Sequence, residues 1–176
     1  AYGGSCFPKD TKAITVTGDL YNTELSIIKS VVKSNAKRRV LITKRIKKIL
    51  SNKIKYKKIA FLGVTFKPNT DDMRESSSLT MIPYLSRSGA IIRYYDPSGV
   101  KKEFSKIKNV SFSDSIKKAC EKADLLIIHT DWEEFNALEF HKLSKSKNFK
   151  IFDLRNLYSD KQMKKSKFKY YSIGRW

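Results

Sequence analysis

The sequence contains few cysteines and few acidic residues for its length. Two cysteines, Cys6 and Cys120, occur in 176 residues, too few for a disulfide framework, so we expect reduced thiols. No apolar run approaches the roughly 20 residues that a membrane-spanning helix needs, and no secretory signal pattern opens the chain. These absences predict a cytoplasmic protein without a membrane partner.

Acidic side chains are also outnumbered, with 17 Asp and Glu against 37 Lys and Arg and a formal net charge of +20. Such an excess is one mark of a nucleic-acid or anionic-surface binder. The basic residues are scattered along the whole chain, however, and form no stripe with interleaved aromatic residues. We therefore predict no nucleic-acid partner, while the excess favours a smaller anionic ligand such as a pyrophosphate.

The segment 22–50 contains neither glycine nor proline, and its apolar residues recur at steps of three and four. This periodicity predicts one long amphipathic helix. A shorter helix is predicted at 10–16, with Gly18 as its terminator. The apolar stripe of the long helix needs a cover. A partner subunit and a further region of polypeptide are both candidates.

From residue 57 onward, short apolar runs alternate with helical segments. The alternation predicts an α/β fold with a doubly wound parallel sheet and helices on both faces. The predicted strands cover residues 59–63, 91–95, 125–129, 149–153 and 168–172. The predicted helices cover residues 75–88, 114–121 and 133–143. Ligands of such sheets bind outside the carboxyl ends of the strands, so we expect the functional site there.

Cys6, in the stretch GGSCFPKD, is the strongest candidate for a catalytic nucleophile. A cysteine attacks as its thiolate, which a helix amino terminus or a cation such as Lys9 stabilises. Asp10 follows four residues later, one helical turn away, where a carboxylate can act as general base on water. The alternative is a buried, inert cysteine, which is the common fate of a lone thiol.

A second candidate is the polar stretch 63–76, which follows the first predicted strand and precedes a helix. Lys67 and Arg74 supply cations, and Thr70, Asp71 and Asp72 supply further polar groups. The glycine pattern is not G-x-G-x-x-G, so the dinucleotide-binding turn is absent from this stretch. We favour a binding loop over a loop of solvated charges.

Together these motifs resemble the UDP-glucose/GDP-mannose dehydrogenase family. GGSCFPKD and FKPNTDDMRES are similar to its two signature stretches, and the resemblance continues through YDP, HTDWEEF and FDLRNLY in the family's order. The residues of these motifs are most similar to those of members that act on UDP-glucose. Members that act on N-acetylated sugars usually carry histidine where Ser5 stands, and members that act on GDP-mannose are the nearest rival.

The resemblance implies an oxidation of the sugar C6 alcohol to a carboxylate, with two NAD+ and a thioester on the cysteine. It makes Cys6 the nucleophile and Asp10 the group that assists water in hydrolysis. The implied binding residues are Lys9 and Arg74 for NAD, and Gly3, Lys67 and Arg155 for the nucleotide sugar.

The resemblance also implies an architecture. Residues 1–54 would be the end of a central domain, with the cysteine loop and a long helix that forms a homodimer core. Residues 55–176 would be a Rossmann-like UDP-sugar-binding domain. The family's amino-terminal NAD-binding domain has no counterpart here, so we expect a carboxyl-terminal part that is inactive alone. A non-catalytic nucleotide-binding or oligomerisation relic stays open.

The remaining cysteine and the two histidines are not assigned chemistry. Cys120 lies among apolar residues of a predicted helix, and we expect it in the core. His129 and His141 lack metal-ligand spacing with carboxylates or thiols, so no metal site is predicted.

Overall fold

A computed structural model describes residues 1–146 and 148–174. The chain opens with two helices, α1 (Cys6–Leu20) and α2 (Ser26–Ile49). The prediction that Gly18 ends the first helix is wrong, because α1 continues through it. Gly18 is buried, and a Cβ there would lie 2.7 Å from Leu25 Cδ1. Its lack of a side chain lets the following turn fold back closely against α1.

The long helix α2 is confirmed, and its apolar stripe is covered over its carboxyl half. Ile42, Ile46 and Ile49 are buried against the rest of the protein. Towards the amino end, the stripe residues Ile28 and Val32 are only half-buried, and Val31 is 41% exposed. The two halves of one stripe therefore differ in environment, although they follow the same periodicity.

Among the described residues after α2, six strands form a parallel sheet, as the alternation predicted. The strands are β1 (Lys58–Leu62), β2 (Ile91–Tyr95), β3 (Val110–Phe112), β4 (Leu125–Ile128), β5 (Lys150–Asp153) and β6 (Lys169–Ser172). Their order is β3-β2-β1-β4-β5-β6, and every neighbouring pair is parallel. This is the doubly wound, Rossmann-like order. The short edge strand β3 was not among the predicted strands.

Four further helices connect the strands: α3 (Ser78–Arg87), α4 (Ile116–Cys120), α5 (Phe140–Leu143) and α6 (Asp160–Lys164). The helix predicted from residue 75 begins three residues later, because Glu75 has a φ of 56° and cannot belong to a right-handed helix.

The continuous helix predicted over 133–143 is also wrong. A single 3-10 turn, Glu133–Phe135, precedes α5, and the backbone between them is irregular. Phe135 and Phe140 are both buried. Five positions apart, they would point about 140° away from each other around one helix, so both reach the core only if the helix breaks. Tyr158 fills the break, where its hydroxyl accepts from the Leu138 amide and donates to the Phe135 carbonyl.

The sheet separates two apolar clusters, and successive residues of one strand enter opposite ones. Ile59 and Phe61 pack with α2 and α3, whereas Ala60 and Leu62 pack with Ala119 and other residues on the other face. This is the two-residue alternation of a strand that is covered on both sides. No helix within residues 1–146 and 148–174 is long and apolar enough to cross a membrane.

Candidate functional site

The strand order of the sheet reverses between β1 and β4, and the chain leaves β1 at this point. Gly63 has a φ of 73°, and a Cβ there would lie 2.5 Å from the Cβ of Thr130, which follows β4. The buried Asp96, after β2, accepts hydrogen bonds from the amides of Val64 (2.7 Å) and Thr65 (3.3 Å). The loop that begins here is thus held at the carboxyl ends of β2 and β4, the two strands that flank β1.

The glycine turn before Cys6 lies directly on this loop. The Gly4 amide donates to the Arg74 carbonyl at 2.8 Å. A Cβ on Gly3 would lie 2.7 Å from the Glu75 carbonyl oxygen, and a Cβ on Gly4 would lie 2.9 Å from the Phe66 ring. The two signature stretches of the sequence are therefore in contact, and glycine is required for that approach.

Cys6 is the first residue of α1 and is exposed. Its Sγ lies 3.6 Å from Ser5 Oγ. The pKa of Arg74 is raised, first by its hydrogen bond to Asp72, with a smaller electrostatic contribution from Cys6. The pKa of Lys9 is raised in the same way, first by Asp10 and last by Cys6. Cys6 therefore lies within electrostatic reach of both cations.

Asp10 and Lys9 pair with each other at the surface, with 2.8 Å between Oδ1 and Nζ. Both side chains are well exposed, so the pair is screened by water and holds neither group firmly. Asp10 follows Cys6 by one turn of α1, so both occupy the same face of the helix.

Arg74 is oriented by Asp72. Its Nε donates to Oδ1 at 3.0 Å and its Nη2 donates to Oδ2 at 2.8 Å, a two-point contact. The same contact holds the pKa of Asp72 below its usual range. Asp72 therefore positions Arg74. The sequence identifies Asp72 only as a polar residue of the loop and does not predict this role.

Lys67 belongs to the loop itself, whereas Arg155 contacts the loop from the end of β5. Lys67 is exposed, and its Nζ lies 5.6 Å from the centroid of the Phe66 ring. Arg155, after β5, donates from Nε to the His129 carbonyl (2.7 Å) and from Nη2 to the Phe66 carbonyl (3.1 Å). Arg155 thus joins the ends of β4 and β5 to the loop.

His129 also lies in the candidate site, although the sequence does not place it there. Thr130 Oγ1 donates its proton to the Thr65 carbonyl (2.7 Å), so it accepts from His129 Nδ1 at 2.9 Å. Nε2 is then the acceptor for the Ser77 hydroxyl at 2.8 Å. Burial lowers the pKa of His129 to about 3, with a further contribution from Arg155. The ring is neutral, with both nitrogens occupied.

The prediction for Cys120 is confirmed, because it is fully buried and burial raises the pKa of its thiol to about 12. Within the described ranges 1–146 and 148–174, no three His, Cys, Asp or Glu side chains are grouped to hold a metal ion.

Comparison with known proteins identifies the family. A sequence profile described as the UDP-glucose/GDP-mannose dehydrogenase family, UDP binding domain, matches residues 60–160. The chain belongs to that family. The matched stretch contains Lys67, Arg74 and Arg155, whereas the cysteine loop lies before it.

Relatives of the family cover the cysteine loop as well. UDP-glucose 6-dehydrogenase from Rhizobium meliloti (strain 1021) is 39% identical over 175 residues, which are 99% of this chain and 40% of the relative. The solved UDP-glucose dehydrogenase from Pyrobaculum islandicum superposes with a TM-score of 0.80 at 26% identity, over 98% of this chain and 37% of its own.

A solved GDP-mannose dehydrogenase from Pseudomonas aeruginosa superposes with a TM-score of 0.74, also at 26% identity, over 97% of this chain and 39% of its own. The chain therefore spans about 40% of the length of the family members that it matches.

Proposed function

We propose that this chain supplies the cysteine nucleophile and the nucleotide-sugar-binding cations of a UDP-glucose 6-dehydrogenase, an NAD-dependent enzyme that oxidises UDP-glucose to UDP-glucuronate. The contact of the cysteine loop with the Arg74 loop supports this function most strongly. It brings the turn that carries an exposed thiol against the loop that carries Arg74, at the carboxyl edge of a doubly wound sheet, where such folds bind nucleotides.

In this proposal Lys67 and Arg155 bind the pyrophosphate of the nucleotide sugar, and Gly3 contacts the sugar through its backbone beside the cysteine. Ammonium and guanidinium groups donate charge-assisted hydrogen bonds to phosphate oxygens. Lys67 is exposed at the loop, and Arg155 is held at the same loop through the Phe66 carbonyl, so both occupy one edge of the sheet.

Lys9 and Arg74 would hold NAD, which accepts a hydride when it is bound. Both are exposed cations within electrostatic reach of Cys6, so their charge fits a dinucleotide pyrophosphate near the reacting carbon. The 176 residues contain no G-x-G-x-x-G turn, and we propose that this polypeptide alone does not catalyse the oxidation.

The chain's own residues take part in the second half of the reaction. Once the C6 alcohol has lost a hydride and a proton, Cys6 Sγ adds to the aldehyde carbon and its proton passes to the oxygen. Loss of a second hydride and the hydroxyl proton leaves a thioester on Cys6. Asp10 then takes a proton from water as the water oxygen attacks that carbonyl, and the C–S bond breaks to give the carboxylate and the free thiol.

We further propose a cytoplasmic homodimer, with residues 1–54 as the dimer-forming segment and 55–176 as the UDP-sugar-binding domain. Large apolar side chains are exposed along α1 and α2, among them Leu20 (74%), Ile27 (79%) and Leu41 (62%). A second copy that packs along these helices would cover them.

Calorimetry on the 176-residue chain tests the binding half of the proposal. We expect UDP to bind at millimolar concentrations, K67Q to weaken it about tenfold or more, and K117Q, on α4 away from the site, to leave it unchanged. No UDP binding would contradict the proposal, and preference for GDP would favour GDP-mannose as substrate. Reduction of NAD+ by the chain with UDP-glucose would contradict its inactivity alone.

A further inference from the structure

Glu75 stands between the two parts of the candidate site, and its carboxylate joins two helices. Oε2 accepts from Arg39 Nη2 of α2 at 2.8 Å, and Oε1 accepts from Lys12 Nζ of α1 at 3.2 Å. The pKa of Glu75 lies below its usual range, chiefly because of the Arg39 hydrogen bond and then that of Lys12. Each oxygen therefore holds a different helix.

The backbone of Glu75 takes part in the same junction. Its carbonyl accepts from Arg39 Nη2 at 3.0 Å and lies against Gly3. One residue earlier, the Arg74 carbonyl accepts from the Gly4 amide at 2.8 Å. Glu75 itself has a φ of 56°, a left-handed conformation that side-chain-bearing residues hold only where surrounding contacts enforce it.

The two neighbouring side chains have different surroundings. The Arg74 side chain is 68% exposed, whereas that of Glu75 is 37% exposed and contacts α1 and α2. Arg39, its partner, has a side chain that is only 16% exposed. Burial of the arginine shields this ion pair from water, which distinguishes it from a freely solvated surface pair.

We propose that Glu75 is a positioning residue that holds the Arg74 loop against the helix that begins at Cys6. Through Lys12 it holds α1, through Arg39 it holds α2, and through its backbone it sets where Arg74 stands. The relevance to catalysis rests on the proposed function, but the contact itself requires no ligand. Without the carboxylate, we expect the cysteine loop and the Arg74 loop to separate while the sheet stays intact.

A spin label on Cys6 tests this placement, because Cys6 is exposed and Cys120 is buried. In the unaltered chain the nitroxide should broaden the amide signals of Arg74 and Glu75 in a two-dimensional NMR spectrum. E75Q removes the charge and E75G removes the side chain while permitting the left-handed backbone. Both should weaken that broadening and speed hydrogen exchange of the Gly4 amide about tenfold.

The controls separate positioning from general stability. E139Q neutralises an exposed glutamate that pairs with Lys142 on α5 and should change neither readout. E75D, which keeps the charge, should restore part of the broadening. If E75Q and E75G do not fold, K12Q and R39Q each remove one partner and should each give a smaller loss.

Unchanged broadening and unchanged Gly4 exchange in E75Q and E75G, or in both K12Q and R39Q, would overturn the proposal. A chain that does not bind UDP but keeps a Cys6–Arg74 proximity that depends on Glu75 would instead contradict the proposed function alone. The two proposals can therefore fail separately.

Discussion

Gly63 lies so close to Thr130 that a Cβ at position 63 would stand 2.5 Å from the Cβ of Thr130 and 3.0 Å from its amide nitrogen. Gly63 follows β1 and Thr130 follows β4, so the contact is made where the strand order reverses. The two loops that leave this point carry Lys67, Arg74 and His129. The two loops can approach this closely only because Gly63 has no side chain.

We expect G63A to destabilise the protein by about 2–4 kcal/mol, from the left-handed backbone together with the collision with Thr130. Gly99 is a matched control, with a φ of 85° and no atom within 4 Å of an added Cβ. G99A should therefore cost about 1 kcal/mol, from backbone strain alone. Urea unfolding measures the free energy of unfolding of both variants. An equal decrease in G63A and G99A would show that the Thr130 contact is unimportant.

The two halves of the α2 stripe should respond differently to truncation. Ile46 is fully buried in the core, so I46A should lower the free energy of unfolding by about 2–5 kcal/mol. Val31, on the same helix, is 41% exposed, and V31A should change it by less than about 0.5 kcal/mol in dilute solution. A larger loss for V31A at high protein concentration would indicate that a second copy covers this half.

Stability should fall on acidification because of His129. Its pKa is lowered to about 3 in the folded chain, against 6.5 for an ordinary histidine. Between these values the unfolded chain binds a proton that the folded chain does not, so stability falls as pH decreases through this window. The loss is about 1.4 kcal/mol per pH unit below 6.5.

Urea unfolding at pH 7 and pH 5.5 should show this loss in the unaltered chain and in H141Q, since His141 is exposed. In H129Q the histidine part of the loss should disappear. A His129 ring signal that titrates near pH 6.5 in the folded protein would contradict the prediction.

The two thiols should differ sharply in reactivity. Cys6 is exposed, whereas burial raises the pKa of Cys120 to about 12. At pH 8 about one Cys120 in 10,000 would be a thiolate, before its inaccessibility is counted. Iodoacetamide should modify Cys6 in the native chain and Cys120 only in denaturant, as mass spectrometry of C6S and C120S variants would show. Native labelling of C6S at a comparable rate would refute this.

Several elements could be predicted because their signals are local. The run at 59–63 and the periodicity of 22–50 depend on how side chains project from strands and helices, so these elements appear with small shifts at their ends. The helix over 133–143 failed because two buried phenylalanines at unfavourable spacing outweigh local propensity. Glu75 shortened the following helix for a similar reason, since contacts with α1 and α2 hold its backbone.

The sequence by itself determined the order of strands and helices, the two signature stretches and the residue types available for chemistry. Only the tertiary structure decided that Gly4 meets Arg74, that Asp72 orients this arginine, and that His129 is neutral. The physical reason is the separation along the chain of the residues that interact. Backbone geometry repeats within a few residues, whereas hydrogen-bond partners and burial come from segments that are distant in the chain and become neighbours only when the sheet is assembled.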